Sequence, residues 1–385
     1  MSGVRRRLNV RIHRDDVTYP VVVCQRSRAT ELGDVFDKLG LFESRGQMGR
    51  VKRRACIVYD EGFIHARPDV LRTLRKLFPL RDNLFLGVPG AEASKSIFKA
   101  EKILGEMIKA GLTRNDFCLA VGGGVVGDLG GFVASLYHRG MDVVHVPTTL
   151  LAMVDSSIGG KTAVNHPEGK NLIGAFHQPA AVVVVLDFLD SLPDFDFQSG
   201  LGEVFKYAVG FSPALFRYLD RHAEQVLGRD PAALAHVLLE SVAIKSEVVR
   251  RDERETGVAR LHLASRSRFA DRRLLNLGHT IGHGIEKAYA LPHGMAVAVG
   301  VTIAAKLSAK LKLCPIRCYD QSMNLATRLL LRTDADLDWR LKDVLPYVRR
   351  DKKLVGDRLQ FVCLKNIGHS FVHPITFNDL KLLER

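Results

Sequence analysis

The chain has 385 residues, 46% of them hydrophobic and 25% charged, a globular composition long enough for two separate cores. Its formal net charge of +14 favours anionic partners, but the basic clusters at 5–7 and 50–54 are short and carry no nucleic-acid-binding signature. That balance leaves nucleic acid as a weak alternative beside acidic lipid and a phosphorylated small molecule. No apolar run approaches membrane-spanning length, so no membrane partner is expected. The first ten residues lack the apolar stretch of a secretion signal. The six cysteines are scattered, and Cys314 and Cys318 find no second pair to complete a zinc cage. A reducing, cytoplasmic setting follows, with Cys56 and Cys118 as core thiols.

From the N-terminus, short β-branched runs at 19–24, 56–59, 84–88, 117–121, 143–146 and 181–186 read as strands. Between them, 94–110 places Ile97, Ala100, Leu104, Met107 and Ile108 at helical spacing. Strands alternating with helices predict a parallel sheet covered by helices, a Rossmann-like α/β domain over residues 1–190. Pro193 and several aspartates interrupt both periods near 189–197. Beyond them the pattern is helical at 200–209, 213–227, 231–251, 276–289 and 294–313, with one short strand at 360–364. Residues 191–385 are therefore expected to form a mainly α-helical domain, and a cleft between the halves is a natural place for substrate.

The predicted strand at 117–121 runs into Gly122-Gly123-Gly124-Val125-Val126-Gly127-Asp128 and then a predicted helix. Missing side chains let backbone N–H groups approach a pyrophosphate, although a glycine-rich turn alone is equally well a tight turn. In the second half, Glu203, His279, His283 and His293 offer carboxylate oxygen and imidazole nitrogen, donors suited to a divalent ion that keeps a coordination position open. His279 and His283 share a helix face at i, i+4, so by spacing both could ligate. Lys161 lies in IGGKTAVN, among small and apolar neighbours where an unpartnered charge is costly.

Five motifs, in order, carry a resemblance: GGGVVGD with VPTTLLAMVDSSIGGKTAVNHPEGKNLIGAFHQP within 121–179, GLGEVFKYAV at 200–209, NLGHTIGHGIE at 276–286, LPHGMAVAVG at 291–300, and RDKK with a following IG at 350–368. Together they span most of the chain, and the pattern resembles the 3-dehydroquinate synthase family of sugar phosphate cyclases. The resemblance implies NAD contacts at Asp60, Glu92, Lys95, Gly123, Gly124, Asp128, Thr148, Thr149, Lys170 and Ser191. It implies one divalent ion, zinc or cobalt, on Glu203, His279 and His293, with His283 turned to substrate. Lys161, Lys206, Lys245 and Asp155 are the implied catalytic groups beside His283. Arg139, Asn171, Arg272, Asn276 and Lys352 are the implied substrate contacts.

The implied substrate is 3-deoxy-D-arabino-heptulosonate 7-phosphate, and the implied assembly is a homodimer. The implied reaction oxidises the C5 hydroxyl transiently with NAD, eliminates phosphate, returns the hydride, opens the ring and closes a carbocycle by an intramolecular aldol step. Three features depart from the family pattern: a longer segment at 258–271, Met153 after the threonine pair, and Met295 after His293-Gly294. The long segment leaves Arg260 and Arg272 as competing carboxylate contacts, and Arg272 keeps the four-residue spacing to Asn276. Relatives using sedoheptulose 7-phosphate or glucose 6-phosphate are the alternative reading. A noncatalytic NAD- or nucleic-acid-binding descendant is an alternative of another class.

Overall fold

The computed structural model describes residues 17–46, 49–255, 271–349, 354–355 and 358–384. In the first half six strands form one sheet: β1 (Val21–Cys24), β2 (Ala55–Asp60), β3 (Leu84–Val88), β4 (Phe117–Gly122), β5 (Asp142–Pro147) and, after a hairpin, β8 (Ala181–Val185). Their order is β1-β8-β5-β4-β2-β3, and every pairing is parallel. Helices α1 (Ala29–Lys38), α2 (Pro68–Leu77), α3 (Ile97–Lys109) and α4 (Gly124–Leu136) cover it.

The reason is visible in the side-chain period. Along β2, Ala55 and Ile57 enter one apolar cluster while Cys56 and Val58 enter another, and β4 divides Leu119 from Cys118 and Ala120 in the same way. A sheet buried on both faces needs apolar residues at every position, which is why these strands read as continuous β-branched runs. All six strands expected from the sequence are present. Cys56 and Cys118 are buried neighbours across the β2–β4 pairing.

The antiparallel hairpin of β6 (Lys161–His166) and β7 (Gly169–Phe176) is an addition to the strands expected from the sequence. Its inner positions, Thr162 and Val164, are buried against α4 while Lys161 is outward.

The second half is built from α5 (Asp194–Gly210), α6 (Pro213–Arg221), α7 (Pro231–Arg251), α8 (His279–Tyr289), α9 (His293–Lys310), α10 (Arg317–Arg328) and α11 (Leu341–Val348). Helix α9 is buried along nearly its whole length and forms the axis of this half. The apolar cluster on one face of the sheet continues without a break into α5 and α9.

Three expectations need correction. The single late strand is an antiparallel sheet of Leu354–Val355, β9 (Arg358–Asn366) and β10 (His369–Ile375). The helix expected over 213–227 is broken at His222 into two. The helix expected over 276–289 starts only at His279: Arg272–Asn276 is a separate 3-10 turn, and Gly278 at φ 78 makes the break. Among the described residues no helix is long and apolar enough to cross a membrane.

Candidate active site

The carboxyl ends of the sheet strands gather the first group of side chains. Asp60 ends β2 and caps the next short helix, its Oδ1 accepting from the amides of Gly62 (2.9 Å) and Phe63 (3.2 Å). Gly122 ends β4, Gly123 caps α4, and Thr148 at the end of β5 donates its amide to the Gly122 carbonyl at 3.0 Å. Thr149 Oγ1 accepts from the Ala152 amide at 3.2 Å. Chain order reverses between β2 and β4, and open α/β sheets bind ligands at such a crevice. A Cβ at Gly123 would come within 3.2 Å of the Thr149 methyl, so a bare backbone lies between these loops.

Beside this turn, buried Lys95 joins Asp128 and Asn171. Glu92 accepts from Asn165 Nδ2 at 2.7 Å, and Asn165 Oδ1 accepts from the Asn171 amide at 2.9 Å. Burial pushes the Asp128 carboxyl up against the pull of Lys95. Asn171, expected on the substrate, is thus engaged with the group expected to hold NAD. Ser191 closes the 3-10 turn after β8 and donates to the Phe188 carbonyl at 3.1 Å.

The second group is electrostatically denser. Glu203 on α5 is 1% exposed, and its Oε1 lies 3.4 Å from His279 Nε2 and 3.5 Å from His293 Nε2. Each imidazole is turned by its other nitrogen: His279 Nδ1 lies 3.2 Å from the Leu277 carbonyl, and His293 Nδ1 lies 3.0 Å from Glu286 Oε2. The donor nitrogens of His279, His283 and His293 all lie within 4.8 Å of one another. Burial works to raise the Glu203 carboxyl, yet Lys206, His279 and His293 hold it well below the ordinary range. His279 is pushed well below its ordinary value, by burial first, while Glu203 and Glu286 outweigh burial to raise His293 to about 10. A buried carboxylate that meets Lys206 through Oε2 and turns Oε1, with no hydrogen-bond partner, toward two oriented imidazole nitrogens fits a divalent ion with nitrogen and oxygen ligands.

Asp155 lies in the turn Ala152–Ser156 between the two groups. Lys245 on α7 approaches its Oδ1 at 2.9 Å and its carbonyl at 2.6 Å, Tyr207 donates to the same Oδ1, and Lys206 stands 3.9 Å away while touching Glu203. Lys206 and Lys245 are both buried. Lys161 pairs with Glu255 at 2.5 Å, and Asn276 Nδ2 donates to the other Glu255 oxygen at 3.1 Å. The Lys161 side chain is 51% exposed, which corrects the expectation of a desolvated lysine: strand alternation turns it outward, where an acidic partner meets it.

Arg272 is buried, with its guanidinium donating to the carbonyls of Glu253 and, at 3.4 Å, Gly159. Lys170 meets Glu286 at 3.0 Å. Arg139 sits on an exposed turn of positive φ and is not among the side chains gathered here. Lys352 and Arg260 lie outside the described residues. Sequence reasoning missed Glu255, Glu286 and Tyr207. Glu286 ends the GHTIGHGIE motif, and its position seven residues after His279 on one helix was the available signal.

The family profile for the N-terminal part of 3-dehydroquinate synthase matches residues 85–199, and that for its C-terminal part matches 200–354. The 3-dehydroquinate synthase of Acidithiobacillus ferrooxidans is 44% identical over 310 residues, 79% of this chain and 81% of the relative. The chain belongs to the 3-dehydroquinate synthase family. Among solved structures, 2-epi-5-epi-valiolone synthase from Streptomyces hygroscopicus, with NAD+ and Zn2+ bound, superposes at TM-score 0.80 and 25% identity, covering 97% of this chain and 99% of that one. A 2-deoxy-scyllo-inosose synthase with carbaglucose-6-phosphate, NAD+ and Co2+ superposes at TM-score 0.79, covering 95% and 96%; at 23% identity it supports the fold.

Proposed function

We propose that this family member is a 3-dehydroquinate synthase, converting 3-deoxy-D-arabino-heptulosonate 7-phosphate to 3-dehydroquinate and phosphate with NAD and one divalent ion, zinc or cobalt. The observation that carries the reading is the buried Glu203 carboxylate facing His279 and His293, with Lys206 beside it and Lys245 on neighbouring Asp155. Glu203, His279 and His293 would hold the ion, and the strand ends with Asp60, Glu92, Lys95, Gly123, Gly124, Asp128, Thr148 and Thr149 would hold NAD. When bound, NAD accepts and returns the hydride and the ion supplies Lewis acidity to the hydroxyls it touches.

The chain's own side chains do the rest. Asp155 anchors Lys245 and faces Lys206, so both cations are fixed without reorganisation where an anionic phosphate is held and released. Glu255 and Asn276 orient Lys161 at the outer edge. His283, whose ring lies beside those of His279 and His293, would move a proton on the substrate. Arg272 is the fixed cation for the substrate carboxylate, whose two oxygens match a guanidinium fork.

On this reading, residues 1–190 form the nucleotide domain and 191–385 the ion- and substrate-binding domain. The working unit is a homodimer in the cytoplasm. Exposed Ile97, Phe98 and Ile108 on α3 offer an apolar face to a second copy, and all six cysteines are free and buried, as suits a reducing compartment.

The test is parallel kinetics on the heptulosonate phosphate and on sedoheptulose 7-phosphate, with products identified by mass spectrometry. Depriving Arg272 of a carboxylate partner in the substrate should disfavour the neutral sugar by roughly two orders of magnitude or more in kcat/KM. A higher kcat/KM for sedoheptulose 7-phosphate would assign the chain to the valiolone-type cyclases instead. NAD binding without phosphate release from either sugar would leave a noncatalytic descendant.

A further inference from the structure

The two histidines assigned to the ion are oriented by different partners. His279 Nδ1 meets a neutral acceptor, the Leu277 carbonyl two residues before it. His293 is the first residue of α9, its side chain is 36% exposed, and its Nδ1 meets the carboxylate of Glu286 from the neighbouring helix α8. The ring is packed on one side by His279 and His283, at 5.3 and 5.7 Å between centroids, and open on the other, so packing alone leaves its plane partly free. The hydrogen bond to Glu286 supplies the remaining restraint. It also keeps a proton on Nδ1, so that when an ion displaces the proton on Nε2 that nitrogen is the ligand atom facing Glu203.

The other Glu286 oxygen is held at 3.0 Å by Lys170 of β7, a strand of the opposite half of the molecule. The next residue, Asn171, accepts from Lys95 beside Asp128. Two consecutive residues of one hairpin therefore reach the partner of the ion's ligand and the group beside the glycine turn.

We infer that Glu286, braced by Lys170 from the β6–β7 hairpin, is the positioning residue that sets the orientation and donor strength of His293, and through it the affinity for the divalent ion. This rests on the ligand set proposed above. A carboxylate behind a ligating imidazole raises its basicity and lowers the freedom it loses on binding, and removing such a partner weakens metal affinity by about 10- to 100-fold. Lys170 acts at one remove, and its pair with Glu286 is more than half exposed on the lysine side, so its contribution is smaller and sensitive to salt.

The test uses the full-length protein stripped with a chelator and titrated with Co2+, followed by its visible absorption and by chelator competition. The melting curve serves as the folding control for every variant, joined by NAD binding for the Glu286 variants. Glu286→Gln, which keeps shape and an acceptor, should weaken Co2+ about 10-fold, and Glu286→Ala up to about 100-fold with an altered absorption band. Lys170→Met should weaken it a few-fold at low salt and less at high salt. In a His293→Ala background, Glu286→Ala should cost nothing further. Wild-type Co2+ affinity in both Glu286 variants overturns the proposal, as does an equal penalty with and without His293. Full Co2+ affinity in Glu203→Ala and His293→Ala proteins would instead overturn the ligand set itself, so the two failures are distinguishable.

Discussion

Burial opposes the charge on Asp155, but Lys245, Lys206 and the Tyr207 hydroxyl prevail and bring its pKa down from 3.8 to about 2. A depressed carboxyl stabilises the fold fully above its unfolded value and loses that contribution as pH falls through the folded one, so the window runs from about pH 4 down to about pH 2. The linkage is worth on the order of 2 kcal/mol at neutral pH. Asp155→Asn should therefore be less stable than wild type by roughly that amount at pH 7, and the gap should narrow by about half at pH 3. Urea midpoints of both proteins at the two pH values check this, and a constant gap would mean that Asp155 contributes by packing rather than by charge.

At the same scale, the residues legible in the sequence were those whose chemistry is unusual where they stand. Three histidines within fifteen residues and a glycine triplet after a strand mark a site with no coordinates at all. Glu255, Glu286 and Tyr207 carry no such mark. A tyrosine in an apolar helix is ordinary, and its bond to Asp155 joins positions 52 residues apart. Lys161 stands out in the sequence because its neighbours are small and apolar, but those neighbours form a strand that turns it outward rather than burying it.

At the scale of elements, each proposed ligand adjoins a glycine at which two backbones meet. Gly202 precedes Glu203, and a Cβ there would overlap the carbonyl of Gly294, the residue after His293. A Cβ on Gly294 would overlap the carbonyl of Ser199 on α5. Gly278, before His279, takes φ 78 and lies against Val297 and Val301 of α9. Helices this close leave no room for side chains between them, and that closeness brings carboxylate and imidazoles within bonding range of one ion.

Gly294→Ala should push α5 and α9 apart, costing about 1–3 kcal/mol of stability and separating Glu203 from His293. Its melting temperature and its metal content should fall together. A variant that melts like wild type and holds its metal would show that the crossing has slack. The glycines were plain in the sequence; that they pair with each other across helices was not, since helix spacing gives faces and not partners. The strands were legible because burial on both sides demands β-branched runs. The β6–β7 hairpin was hidden by Gly, Lys and Asn, residues that strands ordinarily avoid.

Across the whole molecule, the two halves are tied by more than their common apolar cluster. Lys245 reaches Asp155 at 2.9 Å, Arg272 reaches the Gly159 carbonyl at 3.4 Å, and Lys170 reaches Glu286 at 3.0 Å. Each tie joins a residue of the first half to one of the second, and the last two flank the proposed ion and substrate positions. Separate unfolding of either half would strand buried charges from the other, notably Lys245 and Arg272. The halves are therefore expected to unfold in one transition despite their different architectures.

The single tryptophan, Trp339, packs against the core in the helical half and reports on that half alone, whereas far-UV circular dichroism reports on both. The two melting curves should coincide. Adding the divalent ion at about 100 times its dissociation constant should stabilise the folded state by about 2.7 kcal/mol, which for a chain of this length is a rise of about 3 °C. All three proposed ligands lie in the helical half, so the ellipticity curve should move by the same amount as the tryptophan curve only if the halves unfold together, and stripping with a chelator should then return both. A tryptophan transition that shifts with metal while the ellipticity curve splits or stays behind would show that the helical half binds the ion and folds on its own.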